Sequence, residues 1–478
     1  MRKIYIYILV QMLSVALIAQ EASMYSRYGL GLMSNSNNHA SNMMGGLGAS
    51  YRGIEGPNYL NPASISAIKL ISFDAGISGV FENIKTSTQK AKQNAFNLDY
   101  LSFSVPIKNF WSTSIGLLPY AKKDYNVKNT IQIDSITSNV LEGNGSGNLN
   151  TVYWGNGFKV KGLSLGFSLG YTFGKIVNVS ASNVAINGLY SSSDYTTYQK
   201  SATEVKQINL DFGAQYTLSI KNKKDTLKPY KIDFGVSANS PISLNKSQSQ
   251  TNQLRSFSNQ ILGTRALNES LADFINDKVE NQTYLQNVYT LSGNTNYWKQ
   301  FVPDTISIQN LDQLDVYIPP AINVGAIFYQ DYKYKIGFDF RYQPWSKYRG
   351  FEDNETSKLS NSWKIGFGGE IIPNINKYNK FFSKLKYRAG FYYSKTNITI
   401  NNNDIQEFGI DFGVGIPMFN RFSSNEGFTQ SYITYPFNIG LQIGKRGTTN
   451  NNLVQENFVR LKVGFSLNDK WFVKRKYF

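Results

Sequence analysis

The chain contains no cysteine and a single histidine, His39, among its 478 residues. Without cysteine there is no disulfide framework and no thiolate, and one histidine leaves most metal sites and catalytic triads without their usual groups. His39 lies in a polar leader outside the strand-like segments, where we interpret it as a hydrogen-bonded residue and not a catalytic one. The sequence therefore predicts a protein that is not an enzyme and that holds no metal or cofactor.

Long apolar runs are also missing after the first twenty residues. A membrane-spanning helix needs about 20 consecutive apolar residues, and no later stretch comes close, so spanning helices are excluded. The first residues instead have the parts of an export signal: a basic start, an apolar stretch from Ile4 to Ile18, and small residues before Gln20. We expect a signal peptide at residues 1–19 that is cleaved on export.

The chain is rich in apolar and polar residues that alternate with a period of two. In residues 162–175, the odd positions from Leu163 to Phe173 are apolar and the even positions between them are Gly, Ser or Thr. A period of two places the two sets on opposite faces of a β-strand. Such blocks follow one another from residue 70 to residue 468, which predicts an all-β fold of about 14 antiparallel strands.

An exported chain of amphipathic strands is best explained as a transmembrane β-barrel, whose apolar faces contact lipid while polar or small residues face the lumen. A bacterial single-chain barrel needs an even number of strands, and about 14 strands meet this requirement. Aromatic residues make up 14% of the chain, which suits girdles at both membrane interfaces. We therefore predict that residues 69–478 form a barrel in the cell outer membrane.

The formal net charge of the chain is +17. In a soluble protein such a charge would suggest nucleic-acid binding. Here the Lys and Arg residues are scattered over turns and loops, so attraction to outer-membrane lipid head groups and lipopolysaccharide is the better interpretation. We expect no nucleic-acid partner.

Two segments depart from the alternation. Residues 20–68 are rich in Gly, Ser, Asn and Met, which is typical of a compact segment that needs barrel walls for its hydrogen bonds; we expect a plug there. Residues 241–318 form a long loop, expected to be extracellular, in which Leu271 and Phe274 belong to an apolar series with helical spacing. That helix is either a plain surface element or the lining of a ligand entry site.

Several short motifs point to a known family. Asn61-Pro62-Ala63, just before the first strand, is similar to the Asn-Pro-Ala motif in the plug of the FadL family, whose members transport long-chain fatty acids and other hydrophobic compounds across the outer membrane. The segments 318–325 and 338–346 resemble a strand start and a strand end of that family. The opening 25–31 and the closing 468–472 look like the branch that is common in Bacteroidota.

The resemblance implies a fourteen-stranded barrel and passive uptake of a hydrophobic ligand, released through a sideways opening at a kinked strand when the plug rearranges. It makes Asn61, Pro62 and Ala63 candidate gating residues. The loop residues Leu271 and Phe274 are candidates for the first capture of a ligand, by apolar contact.

Charged residues on the lumen side are the remaining candidates. Arg460, which points inward from the last strand, either meets a ligand carboxylate or balances a lumen acid such as Asp411. Asp339 and Arg341 share one strand face, which favours a structural ion pair. Two functions stay open: uptake of hydrophobic molecules, and a non-transporting accessory subunit of an outer-membrane secretion or protein-assembly complex, with protein partners.

Overall fold

The computed structural model describes residues 23–34, 37–53, 56–186, 189–190, 195–221, 229–242, 248–258, 304–314, 317–349, 359–375, 380–423 and 429–469. The predicted signal peptide at 1–19 and the predicted loop helix with Leu271 and Phe274 lie outside these residues. In the described part of the chain, no helix is both long and apolar enough to cross a membrane.

Fourteen antiparallel strands form one closed wall. In chain order they are β1 (Ile71–Lys85), β2 (Lys90–Lys108), β3 (Trp111–Gln132), β4 (Thr137–Val160), β5 (Leu163–Ile186), β6 (Tyr195–Ile220), β7 (Tyr230–Ile242), β8 (Ala321–Gln330), β9 (Tyr334–Gln343), β10 (Ser362–Ile371), β11 (Lys386–Ile400), β12 (Asn403–Ser423), β13 (Thr429–Gly447) and β14 (Gln455–Asp469). Each strand pairs with the next, and β14 pairs with β1 along its whole length, which closes the barrel. The predicted fourteen-stranded antiparallel barrel is confirmed.

The two strand faces have the predicted orientation. Leu165 on β5 and Phe412 on β12 point outward and are each 51% exposed, whereas Ser164 and Asp411 point into the lumen and are 0% and 1% exposed. The outer surface is therefore apolar and the inner surface is polar or small, the inverse of a soluble sandwich.

The wall is much taller on one side than on the other. Strands β3 to β6 contain 22 to 26 residues, while β8, β9 and β10 contain 10 each. A tilted strand needs only about 9–11 residues to cross a hydrocarbon core. The tall strands therefore rise far beyond the others at the end of the barrel with the long connections, which we call the upper end.

Two further strands, Gln248–Ser258 and Asp304–Leu314, extend this tall side. They pair with each other, and the first also pairs with the upper part of β6. The segment 241–318, predicted as a long loop, therefore contains two strands that were not predicted. Most of their residues are polar, and no sustained alternation marks them as strands.

The plug, residues 23–68 of the described chain, occupies the lumen. Its three short helical turns each begin with a side chain that accepts a hydrogen bond from a backbone N–H just inside the turn, the usual way to satisfy those donors. The turns and their capping residues are Met24–Arg27 after Ser23, His39–Asn42 after Asn38, and Pro62–Ala67 after Asn61.

An apolar cluster lies at the upper end of the lumen. It joins Leu30 of the plug to Leu149 and Ile176 on the tall strands and to Trp345, which follows β9. Gly174, directly opposite Leu149, has a φ of +149°, a value that favours glycine. Glycine at this position allows the tall wall to curve at the height of the cluster.

Candidate functional site

Asn61 connects the plug to the wall. Its side-chain oxygen accepts a hydrogen bond from the backbone N–H of Ala63 (3.0 Å), and its amide nitrogen donates to the carbonyls of Ala49 (2.5 Å) and of Val236 on β7 (3.2 Å). Pro62 occupies the first helical position, where its fixed φ fits the turn. The Asn-Pro-Ala segment therefore anchors the plug, and its three residues are outside the lining of the large cavity described below.

Glycines in the wall bring the plug backbone very close. A Cβ on Gly166 of β5 would overlap the backbone of Pro62 and Ala63, and a Cβ on Gly390 of β11 would overlap the backbone N of Gly45. No larger residue fits at either position while the plug keeps its place. The plug and the wall thus contact each other backbone to backbone.

Asp339 on β9 is a second anchor. Its carboxylate accepts hydrogen bonds from the backbone N–H groups of Gly48 and of Ala49 (2.6 Å). The predicted ion pair with Arg341 is not formed among the described residues, because the Asp339 carboxylate binds plug backbone instead. Sequence reasoning missed this contact, since its partners lie about 290 residues apart.

A buried ionic network holds the first described residues of the plug. Arg446 on β13 contacts Glu407 (Nε to Oε2, 2.6 Å) and Glu456 (Nη1 to Oε2, 2.9 Å). The Glu456 carboxylate also accepts hydrogen bonds from the Ser23 hydroxyl (2.9 Å) and from the Met24 backbone N–H (2.8 Å). One arginine therefore balances two wall carboxylates, and one of these binds the plug.

The wall has a local break between β2 and β3. The two strands pair only from Leu101 with Leu117 down to Lys108 with Trp111. Above these pairs, residues 90–100 of β2 pair with β1 and residues 118–132 of β3 pair with β4, but not with each other. We call this region the β2–β3 gap.

The plug covers the β2–β3 gap from inside. Backbone N–H groups of Ser23 and Ser34 donate to the carbonyls of Asp124 and Tyr120 on the free edge of β3 (2.9 Å each), and residues 32–33 pair with residues 121–122 between them. Across the gap itself, the Lys122 ammonium donates to the Asn97 side-chain oxygen at 2.8 Å. The edge of β3 is thus paired with the plug over residues 120–124.

His39 lies beside this gap. Its ring is buried, with Nε2 at 2.8 Å from Asp99 Oδ2 on β2 and an edge-on contact with Tyr100. His39 thus makes a hydrogen bond to the wall. Across the described residues, no group of three or more His, Asp and Glu side chains is arranged to hold a metal ion.

A cavity of about 610 Å³ lies between the plug and the upper cluster. Its lining is mixed: apolar residues, among them Phe96, Leu98 and Leu118, lie beside a set of charged residues. The cationic ones are Lys122, Arg341, Lys364, Lys395, Arg446, Arg460 and Lys462, and the acidic ones are Asp99, Asp211, Glu407 and Asp411. Burial raises the pKa of Tyr59, a plug residue in the same lining, well above its usual value, so this hydroxyl stays neutral.

Arg460 is the predicted site residue that reaches this cavity. It donates to the Gln442 side-chain oxygen (3.1 Å), and its guanidinium lies 4.1 Å from the centre of the Phe458 ring. Leu271 and Phe274 lie outside the described residues, so their part in ligand capture stays a prediction. Sequence reasoning did not single out Lys364, although its inward position on β10 could have marked it.

The family model described as BamG matches residues 1–282 and 267–478, which together span the chain. No curated protein matches it. Similar solved structures include the CymD monoaromatic hydrocarbon channel (12% identity, 92% of this chain and 99% of that chain, TM-score 0.51) and a Pseudomonas aeruginosa FadL homologue (11%, 92% and 100%, 0.51). The Ralstonia pickettii toluene transporter TbuX is a third (13%, 91% and 99%, 0.50). At these identities the likeness concerns the fold, which is that of FadL-type barrels.

Proposed function

The chain belongs to the BamG family, and we propose that it is a non-transporting accessory barrel of an outer-membrane protein-assembly or secretion complex. Its apolar outer surface suits a place in the outer membrane, with lipid around the wall. The single observation that carries the proposal is a plug fixed to the wall inside a polar, charged lumen.

The anchoring of the plug supports a static role. Hydrogen bonds fix the plug at three separate places, through Asn61, Asp339 and Glu456. The plug also covers the β2–β3 gap. Opening a route through the lumen would break several of these contacts together. Each buried polar group that loses its partner raises the free energy by about 1–3 kcal/mol, so such an opening is strongly unfavourable.

The chemistry of the cavity also supports this role. Binding of a fatty acid or hydrocarbon in an apolar pocket gains about 0.8 kcal/mol of free energy for each methylene that leaves water. At the charged part of this cavity it would instead displace water from Lys, Arg, Asp and Glu side chains, which is unfavourable. The charged residues therefore favour a hydrated interior over a binding pocket for an apolar ligand.

The tall side of the barrel offers a surface for a protein partner. Strands β3 to β6, with the two strands at 248–258 and 304–314, stand well above the height of the other strands. At the tip of the β3–β4 hairpin, Ile131, Ile133 and Ile136 are exposed beyond the height of the apolar band. A cluster of exposed apolar residues there favours contact with another protein.

To test the proposal, Ile131, Ile133 and Ile136 are together replaced by serine, and the protein is expressed in its native host. Purification in mild detergent should recover outer-membrane proteins at fixed stoichiometry with the wild type and with the control Gln89→Ser, on the short β1–β2 turn. The triple variant should lose them while its barrel stays folded. Absence of any fixed partner with the wild type, together with uptake of a hydrophobic tracer into vesicles, would overturn the proposal.

A second candidate is passive uptake of long-chain fatty acids or other hydrophobic molecules, with no enzymatic step. One observation favours it: the β2–β3 gap adjoins the cavity, and Phe96, Leu98 and Leu118 lie in the lining there. In this case Asn61→Ala should slow uptake of a hydrophobic tracer without changing the surface abundance of the barrel. Equal uptake by wild type, variant and barrel-free vesicles would exclude the candidate.

A further inference from the structure

Two cationic residues lie directly opposite each other inside the lumen. Arg341 on β9 and Lys364 on β10 are cross-strand partners, and both line the large cavity and the small pocket beneath it. Like charges directly opposite on one sheet face destabilise the pair. Such an arrangement calls for a compensating negative charge.

No carboxylate of the described chain forms an ion pair with either cation; Asp211 acts on Arg341, and Asp411 and Glu407 act on Lys364, only at longer range. Neither Arg341 nor Lys364 has a carboxylate oxygen within the 4.0 Å of an ion pair among the described residues, and Lys364 lies 4.2 Å from the centre of the Tyr392 ring. The other cationic residues in the lining have polar or acidic partners. These pairs are Lys122 with Asn97, Lys395 with Asp404, Arg446 with Glu407, Arg460 with Gln442, and Lys462 with Asp411.

The nearby carboxylates already have other donors. Asp339 binds plug backbone, Asp211 accepts from the Asn239 amide (2.9 Å), and Asp411 accepts from the Gln442 amide (2.8 Å). Glu407 is held by Arg446 at 2.6 Å. The two cations therefore face the cavity without a carboxylate in direct contact.

The surroundings are rich in hydrogen-bonding groups and leave room. Asn42, Asn209 and Asn239 line the same cavity, and the plug backbone at Gly46 lies directly under Lys364, whose Nζ would be 3.0 Å from a Cβ added there. Amide side chains bind the hydroxyl groups of a sugar as well as an oxyanion. The pocket is thus suited to a ligand that is anionic at one end and polar elsewhere.

We propose that Arg341 and Lys364 bind a phosphate group, carried by a phosphorylated, hydroxyl-rich solute or lipid head group that enters the cavity. A phosphate monoester carries close to two negative charges at neutral pH, which matches two cations. The Arg341 guanidinium can donate two parallel hydrogen bonds to the phosphate oxygens, and the Lys364 ammonium adds a compact positive charge. Phosphate sites in proteins commonly use both groups. This site is independent of the accessory role proposed above.

The test compares the purified wild-type barrel in detergent with Arg341→Gln, with Lys364→Gln and with the double variant. Lys395→Gln is the matched control, because it removes a cavity lysine that has Asp404 as a partner at 2.6 Å. Binding of inorganic phosphate and of glucose 1-phosphate is measured by calorimetric titration and by the shift in melting temperature that each ligand causes. Wild type and control should bind, each single variant should bind about tenfold more weakly, and the double variant should not bind.

The melting temperature without ligand separates binding from folding damage. The double variant should melt no lower than the wild type in phosphate-free buffer, since it removes a repulsive pair, and phosphate should then stabilise the wild type but not the double variant. Nanodiscs with and without lipid A distinguish a lipid head group from a free solute as the source. No stabilisation of the wild type by inorganic phosphate, by the sugar phosphate or by lipid A would overturn the proposal, as would equal binding by the double variant.

Discussion

At the residue scale, the lumen glycines decide whether the plug fits. Gly166 leaves room for the backbone of Pro62, while a Cβ on Gly79, in the outward-facing series of β1 with Phe81, would meet nothing within 4 Å. We expect Gly166→Ala to lower the free energy of unfolding by about 1–3 kcal/mol, the usual cost of overpacking. Gly79→Ala should change it by less than about 0.5 kcal/mol. Urea unfolding in lipid vesicles measures both, and equal effects would mean that the plug does not lie against β5.

The buried network around Arg446 gives a second residue-scale prediction. Arg446→Met leaves Glu407 and Glu456 buried without their cation, which typically costs about 3–5 kcal/mol. Adding Glu407→Gln and Glu456→Gln to this variant should restore much of the loss, because no uncompensated charge then remains. The same urea titration checks both variants, and a loss that persists in the triple variant would argue against the charge-based explanation.

Residue contacts were also the least predictable part of the molecule. The Asn-Pro-Ala segment could be recognised from sequence because its turn is local and its capping residue precedes a proline. The partners of Asp339 and of Glu456 could not, since they come from plug residues about 290 and more than 400 positions earlier in the chain. A period of two tells which side of the wall a residue faces, but not what it meets there.

At the element scale, the strands with one apolar face were predicted well and the others were not. All fourteen wall strands carry the alternation, because one face must be apolar to contact lipid. The upper strands at 248–258 and 304–314 carry no sustained alternation, since most of their residues are polar. The β2–β3 gap could not be predicted either, because the missing pairing depends on which neighbours the strands find and not on their own sequences.

Strand orientation yields a prediction with a matched pair of positions. Phe412→Lys puts a charge on the outer face near a strand centre and should cost about 2–4 kcal/mol. Asn209→Lys puts the same side chain on the lumen face of β6, in the cavity lining, and should cost less. Ser168, also on the lumen face, is not used as the control because it is buried. It lies close to Gly155, which contacts Ile65 of the plug. Heat-modifiable gel mobility should show clearly impaired folding for Phe412→Lys only; equal impairment of both would contradict the assignment of faces.

At the scale of the whole molecule, the protein is a barrel whose interior is occupied by the plug and whose tall side would, under the proposed function, contact a protein partner. The plug is held by backbone contacts, by Asp339 and by the Arg446 network, and it pairs with the free edge of β3. The central claim of the proposed function is that nothing passes through this lumen on the way across the membrane. That claim requires the plug to stay in place while the protein works.

The most direct test locks the plug to the wall. The chain has no cysteine, so Met33→Cys with Ala121→Cys introduces a single disulfide between two residues that face each other across the plug–β3 pairing. Leu101→Cys with Leu117→Cys, just below the gap, is the control that links wall to wall. In lipid vesicles, uptake of a hydrophobic tracer should equal that of empty vesicles for both proteins, whether reduced or oxidised. One result would contradict the proposed function: the plug-locking variant takes up tracer when reduced and stops when oxidised, while the control takes up tracer in both states.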